Sequence, residues 1–201
     1  MKILDFSNIE NLKLKFNSKI NFINPNISHE MRVIASIGNV SKKILEIGSR
    51  NAINTLLFSM NSSDNTSISL LTLNEKLMLR AYQYNDQNTE IFPKEDNEEN
   101  SCEDLLFDEV SYNSKIIFLE KDFFKNEHLN FKNNFDLIFL DFENFSDILI
   151  ENGQFLIDLL SKEGILLIKD HLNNSADFTD FISSKKDIFK INNTNLFFMK
   201  N

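Results

Sequence analysis

The stretch Ile44 to Met60, ILEIGSRNAINTLLFSM, decides the fold. Its opening belongs to KKILEIG, Lys42 to Gly48, a short apolar run that reads as a strand. Ala52, Ile53, Leu56, Leu57 and Met60 then recur at the spacing of one helix face, so the segment is a strand, a tight turn and a helix. In an open parallel sheet ligands bind beyond the carboxyl ends of the strands, and the first strand-helix turn offers free helix amides and a closely approaching backbone. Glu46, Gly48, Ser49, Arg50, Ala52 and Thr55 are therefore candidate ligand-binding residues. A dinucleotide fingerprint needs glycine at relative positions one, three and six. Counting from Gly48, the latter two places hold Arg50 and Ile53, which disfavours a pyrophosphate binder and with it a nucleotide-dependent oxidoreductase.

Upstream, SHEMRVIASIG reads as a helix from Ser28, with Ser28 as its cap, Glu30 at its positive end and Gly38 as its stop. Downstream the alternation continues with a strand at Ile68 to Leu73, a helix at Glu75 to Tyr84 and strands at Lys115 to Leu119 and Phe135 to Asp141. Helical segments follow over Phe145 to Leu160, then a strand at Gly164 to Lys169 and a last helix near Phe178 to Ser183. Continuous apolar strands such as LIFL and ILLI imply a parallel sheet covered on both faces. Asp187 to Ile191 and Leu196 to Lys200, separated by the turn-forming Asn192 to Asn195, close the chain as an antiparallel hairpin. The expected fold class is α/β: a Rossmann-like, doubly wound, mostly parallel sheet of seven strands.

A chain of 201 residues fits one domain, and 42% hydrophobic with 25% charged residues is the composition of an ordinary soluble globular protein. Only 4 glycines and 2 prolines occur beside abundant Asn and Phe, a bias that lowers the weight of any missing glycine. The net charge of -9 is local: from Asp86 to Ser111 ten acids stand against one base, Lys94, and the rest of the chain is neutral overall. The body therefore carries no excess positive field for nucleic acid or anionic lipid, and no apolar run is long enough for a membrane helix. Asp5 interrupts the start and no secretory signal follows, so a cytoplasmic location is expected. The single Cys102 agrees with a reducing compartment, and its acidic neighbours disfavour a thiolate nucleophile.

The turn resembles the first motif of class I S-adenosylmethionine-dependent methyltransferases, in the small-molecule O-methyltransferase-like (methyltransferase family 24-like) branch. Glu46, Gly48 and Ala52 match its acidic residue, glycine and second small residue, with alanine where glycine is commoner. The likeness extends through SHEMRVIASI, NFDLIFLDFEN, EGILLIKDH and the final hairpin, covering roughly residues 28 to 201 apart from an acidic insert at 86–111. It implies S-adenosylmethionine as cofactor and a small-molecule acceptor methylated at oxygen. That cofactor carries a sulfonium, an ammonium, a carboxylate and a ribose diol, so it suits carboxylates and polar acceptors.

By resemblance, Asn74 or Glu75 stands where an acidic residue usually accepts the ribose hydroxyls. Asp122, followed by Phe123, matches the acidic residue after the third strand, close to the adenine. Asp141 is expected near the transferred methyl, with Asp170 and His171 after the fifth strand completing the catalytic set. His171 is a candidate general base because imidazole titrates near neutrality. Metal-dependent relatives use Asp-Asp or Asp-Asn after the fifth strand; here the pair is Lys169-Asp170, and a protonated lysine cannot ligate a hard cation, so no metal is expected.

Plainer readings of the same residues are a strand-helix turn without ligand, a helix cap at Asp141, a surface or capping His171 and a lysine snorkelling at the end of its strand. The acidic insert reads as a flexible solvated loop, tempered by the apolar LLF of Leu105 to Phe107. Residues 1–27, with Phe6, Leu12, Leu14, Phe16, Ile20, Phe22 and Ile23, read as a cap segment that covers a substrate pocket or makes a homodimer contact. The alternative to an enzyme is a catalytically inactive binding or assembly protein on the same fold, because a fold does not establish an activity.

Overall fold

The computed structural model describes residues 2–4, 28–48, 53–71, 116–119, 134–141, 145–170 and 188–201. The elements are β1 (Lys2–Leu4), α1 (His29–Val40), β2 (Lys43–Ile47), α2 (Ile53–Asn61), β3 (Ser67–Leu71) and β4 (Ile116–Phe118), followed by β5 (Phe135–Leu140), α3 (Phe145–Leu159), β6 (Leu160–Lys169), β7 (Ile188–Ile191) and β8 (Leu196–Lys200). They build one sheet in the order β1-β7-β8-β6-β5-β2-β3-β4. Every described pairing is parallel except those of β8, which runs against both β6 and β7. All seven expected strands are present, and Lys2–Leu4 adds an eighth at the edge beside β7.

Strand alternation sorts the core into two layers. Ile44, Ile68, Leu70, Leu137, Phe139 and Leu167 face α1 and α2, where Val33, Ile34, Leu57 and Phe58 meet them. Leu45, Ile47, Ile138, Leu140, Leu166 and Ile168 face Leu156 and Leu159 of α3. Burying each such side chain contributes roughly 1.5–3 kcal/mol, and because central strands are covered on both sides they read as unbroken apolar runs. At the amino ends of the strands Asp136 fixes the register of β2 against β5: its Oδ2 accepts from the backbone N–H groups of Lys42 and Lys43, each at 3.1 Å.

Two boundaries differ from the sequence expectation. Ser28 does cap α1, its Oγ accepting from Met31 N–H at 3.2 Å, but the helix runs past Gly38 to Val40 and ends where Ser41 N–H donates to Gly38 O. Gly38 is small for a packing reason: a Cβ there would lie 2.5 Å from Phe58 Cδ1. The second difference is at Leu160, which opens β6 instead of closing the preceding helix. It pairs with Phe135 ahead of a register shift, so β6 begins four residues before Gly164. The helices expected at Glu75 to Tyr84 and near Phe178 to Ser183, the insert 86–111, and residues 5–27 of the cap segment lie outside the described residues.

Gly38→Ala is expected to lower stability although alanine favours helix. The Phe58 ring is fully buried and set edge-on to Phe139, with centroids 5.6 Å apart, so it has no free space to yield. Overpacking costs about 1–3 kcal/mol against about 1 kcal/mol gained in propensity, a net loss near ~1 kcal/mol. Urea unfolding checks this, and Phe58→Leu in the same chain is expected to recover part of it.

Candidate active site at the switch point of the sheet

The strand order reverses between β2 and β5, since β3 and β4 lie to one side of β2 while β5 and β6 lie to the other. Loops leaving the carboxyl ends of two such strands diverge and open a crevice, the usual ligand position in sheets of this kind. Gly48 follows β2 there and Asp141 follows β5. Asp141 N–H donates to Ile47 O at 2.9 Å, which sets the two strand ends side by side. Gly48 N–H donates to Leu71 O at 2.8 Å, while its φ of 91° takes the chain into a region that L side chains rarely adopt.

Alternation decides which side chains meet. Glu46 shares the face of Ile44, and Asp141 that of Leu137 and Phe139, so both stand on the α1/α2 side. Lys169 shares the face of Leu167 on the same side. Asp170 follows Ile168 on the α3 side, and its N–H donates to Asn195 O at 2.8 Å, extending the ladder. The basic residue Lys169, and not Asp170, is therefore brought to Asp141.

The first turn of α2 supplies the partners. Thr55 Oγ1 donates to Glu46 Oε2 at 2.6 Å, both residues being fully buried. Asn54 Nδ2 donates to Asp141 Oδ2, again between two buried side chains. Hydrogen bonds to a carboxylate are about twice as strong as neutral ones, and each of these fixes a strand-end acid against the helix. Lys169 Nζ lies 3.8 Å from Asp141 Oδ1 and 3.5 Å from Glu30 Oε1, and Glu30 Oε2 in turn accepts from Asn195 N–H at 2.9 Å. Glu30 thus joins the first turn of α1 to β6 and to the turn before β8. Beside it a cavity of about 540 Å³ is lined by Ser28, His29, Glu30, Lys190 and Asn192 to Asn195.

Of the residues expected from the sequence, Glu46, Gly48, Thr55 and Asp141 come together, and Asp170 lies one strand away on the other face. Ser49, Arg50, Ala52, Asn74, Glu75, Asp122, Phe123 and His171 lie outside the described residues. Sequence reasoning missed Asn54 and Glu30 as site residues. Asn54 is one residue from Thr55 and its amide was legible only as one polar position among several. Glu30 was read for its helix-end charge, which conceals its reach to Lys169. Because the Lys169 and Glu30 side chains are 23% and 20% exposed, Glu30→Gln is expected to change stability by less than about 1 kcal/mol in urea unfolding.

The order of strands, the switch-point crevice and the closing antiparallel pair define a Rossmann-like, doubly wound fold. No protein-family profile and no curated protein matches the chain. Solved structures do. A methyltransferase from Geobacter sulfurreducens aligns over 96% of this chain and 94% of its own, at 12% identity and a TM-score of 0.56. The O-methyltransferase TomG from Streptomyces achromogenes, involved in tomaymycin synthesis and solved with S-adenosylmethionine, covers 96% and 93% at 10% identity and a TM-score of 0.58. An O-methyltransferase from Bacillus cereus, solved with S-adenosylhomocysteine, covers 96% and 94% at 14% identity and a TM-score of 0.55. At these identities the likeness shows the fold alone. No helix among the described residues is long and apolar enough to cross a membrane.

Proposed function

We propose that this chain is an S-adenosylmethionine-dependent methyltransferase acting on an oxygen of a small-molecule acceptor. The observation that carries the reading is the pairing of the Gly48 turn with the Asn54-held carboxylate of Asp141 across the switch point. The donor set fits the cofactor: two buried carboxylates, an amide and a tight glycine turn suit a cationic, phosphate-free nucleoside. S-adenosylmethionine supplies, when bound, an electrophilic methyl group on a sulfonium.

In this reading Glu46, Gly48, Ser49, Arg50, Ala52 and Thr55 form the wall for the amino-acid part of the cofactor, with Thr55 positioning Glu46. Asn74 and Glu75 serve the ribose hydroxyls, and Asp122 with Phe123 the adenine. Asp141 would serve the end of the cofactor that carries the methyl, and His171, next to Asp170 in the sequence, would take the acceptor proton and pass it to water. Positioning supplies most of the acceleration in an in-line displacement, which is why a crevice of strand-end acids suffices without a covalent nucleophile.

Calorimetric titration with S-adenosylmethionine, S-adenosylhomocysteine and NAD tests the proposal. Both sulfur nucleotides are expected to bind and NAD is not. Absence of binding by either sulfur nucleotide at millimolar concentration would overturn it, and binding without turnover over a broad panel of small hydroxyl compounds would favour a binding protein on this fold.

A further inference from the structure

Two carboxylates from separate elements converge on one ammonium: Asp141 Oδ1 from the end of β5 at 3.8 Å and Glu30 Oε1 from α1 at 3.5 Å. Oxygens converging in this way are what a hard divalent cation takes as ligands. Here the point is held by Lys169, a cation attached to the chain. Its side chain is 23% exposed against 6% for that of Asp141, so the buried acid meets a cation carried by a more exposed side chain. Glu30 also lines the cavity of about 540 Å³, which places that cavity one ion-pair contact from the ammonium.

Resting on the methyltransferase reading, we infer that Lys169 is the resident cation of this site, its ammonium standing between Asp141 and Glu30 where a divalent metal would otherwise sit.

Calorimetry with Mn²⁺ on the full chain tests the cation, with and without S-adenosylhomocysteine. The wild type is expected to show no saturable binding, as is Lys169→Arg. Lys169→Asp is expected to gain a single Mn²⁺ site at least tenfold tighter than any wild-type binding, and Lys169→Met to gain a weaker one if the aspartate variant does not fold. Saturable Mn²⁺ binding by the wild type that Lys169→Met leaves unchanged would overturn the inference. Failure of S-adenosylhomocysteine itself to bind is a separate result. It removes the methyltransferase reading while the Mn²⁺ titrations still report on Lys169.

Discussion

Gly48→Val is expected to abolish binding of S-adenosylhomocysteine and to destabilise the fold by about 2 kcal/mol or more, because a left-handed conformation costs L residues roughly 1–2 kcal/mol and a β-branched side chain more. The position has little freedom to escape. Its N–H is bonded to Leu71 O at 2.8 Å, the preceding Ile47 O accepts from Asp141 N–H at 2.9 Å, and φ is 91°. Relaxing φ would pull the β2 end away from either β3 or β5. Keeping it would place a branched side chain at the mouth of the crevice. Gly48→Ala separates the two effects, since it carries most of the backbone strain with the smallest side chain. Thermal melting ranks the strain, and calorimetry reads the crevice. A folded Gly48→Val protein that binds S-adenosylhomocysteine as the wild type does would mean that the ligand does not lie over this turn.

The parts of the fold that were legible in the sequence are those where one residue pattern answers to one environment. Leu137 to Leu140 are apolar at every position, and Ile44, Leu45 and Ile47 leave only Glu46 polar in their run, because helices cover both faces of the sheet, as they do for a central parallel strand. The closing hairpin was legible for a different reason: Asn193 takes a positive φ of 57°, a conformation asparagine tolerates, within a cluster of turn-forming residues. Where two causes select the same residue the sequence was ambiguous. Gly38 satisfies both a helix stop and a close helix contact, and only the Phe58 ring at the place of its missing Cβ decides between them. The site behaved likewise. Glu46, Gly48 and Asp141 follow from strand ends, which sequence locates. Glu30 and Lys169 are 139 positions apart and meet only because α1 starts at the same edge where β6 stops. Composition and periodicity hold no record of that pairing.

Asp141→Asn is expected to weaken S-adenosylmethionine by roughly 10–100-fold while weakening S-adenosylhomocysteine much less, as the loss of one charge interaction of about 1.5–3 kcal/mol requires. The two ligands differ at the sulfur, cationic in one and neutral in the other, so their ratio isolates the charge of the carboxylate. Asp141 is suited to this measurement because it is buried and held in place: Asn54 donates to Oδ2, and the backbone N–H is fixed to β2. The asparagine variant can keep the bond from Asn54 through its amide oxygen, which turns its NH₂ group towards Lys169 Nζ, now 3.8 Å from Oδ1. A donor facing an ammonium is unfavourable, so a stability loss of about 1–3 kcal/mol accompanies the substitution. That loss acts on both ligands alike and cancels in the ratio. A ratio unchanged from the wild type would place the sulfonium away from the end of β5, and the methyl-transfer geometry proposed for this crevice would fall with it.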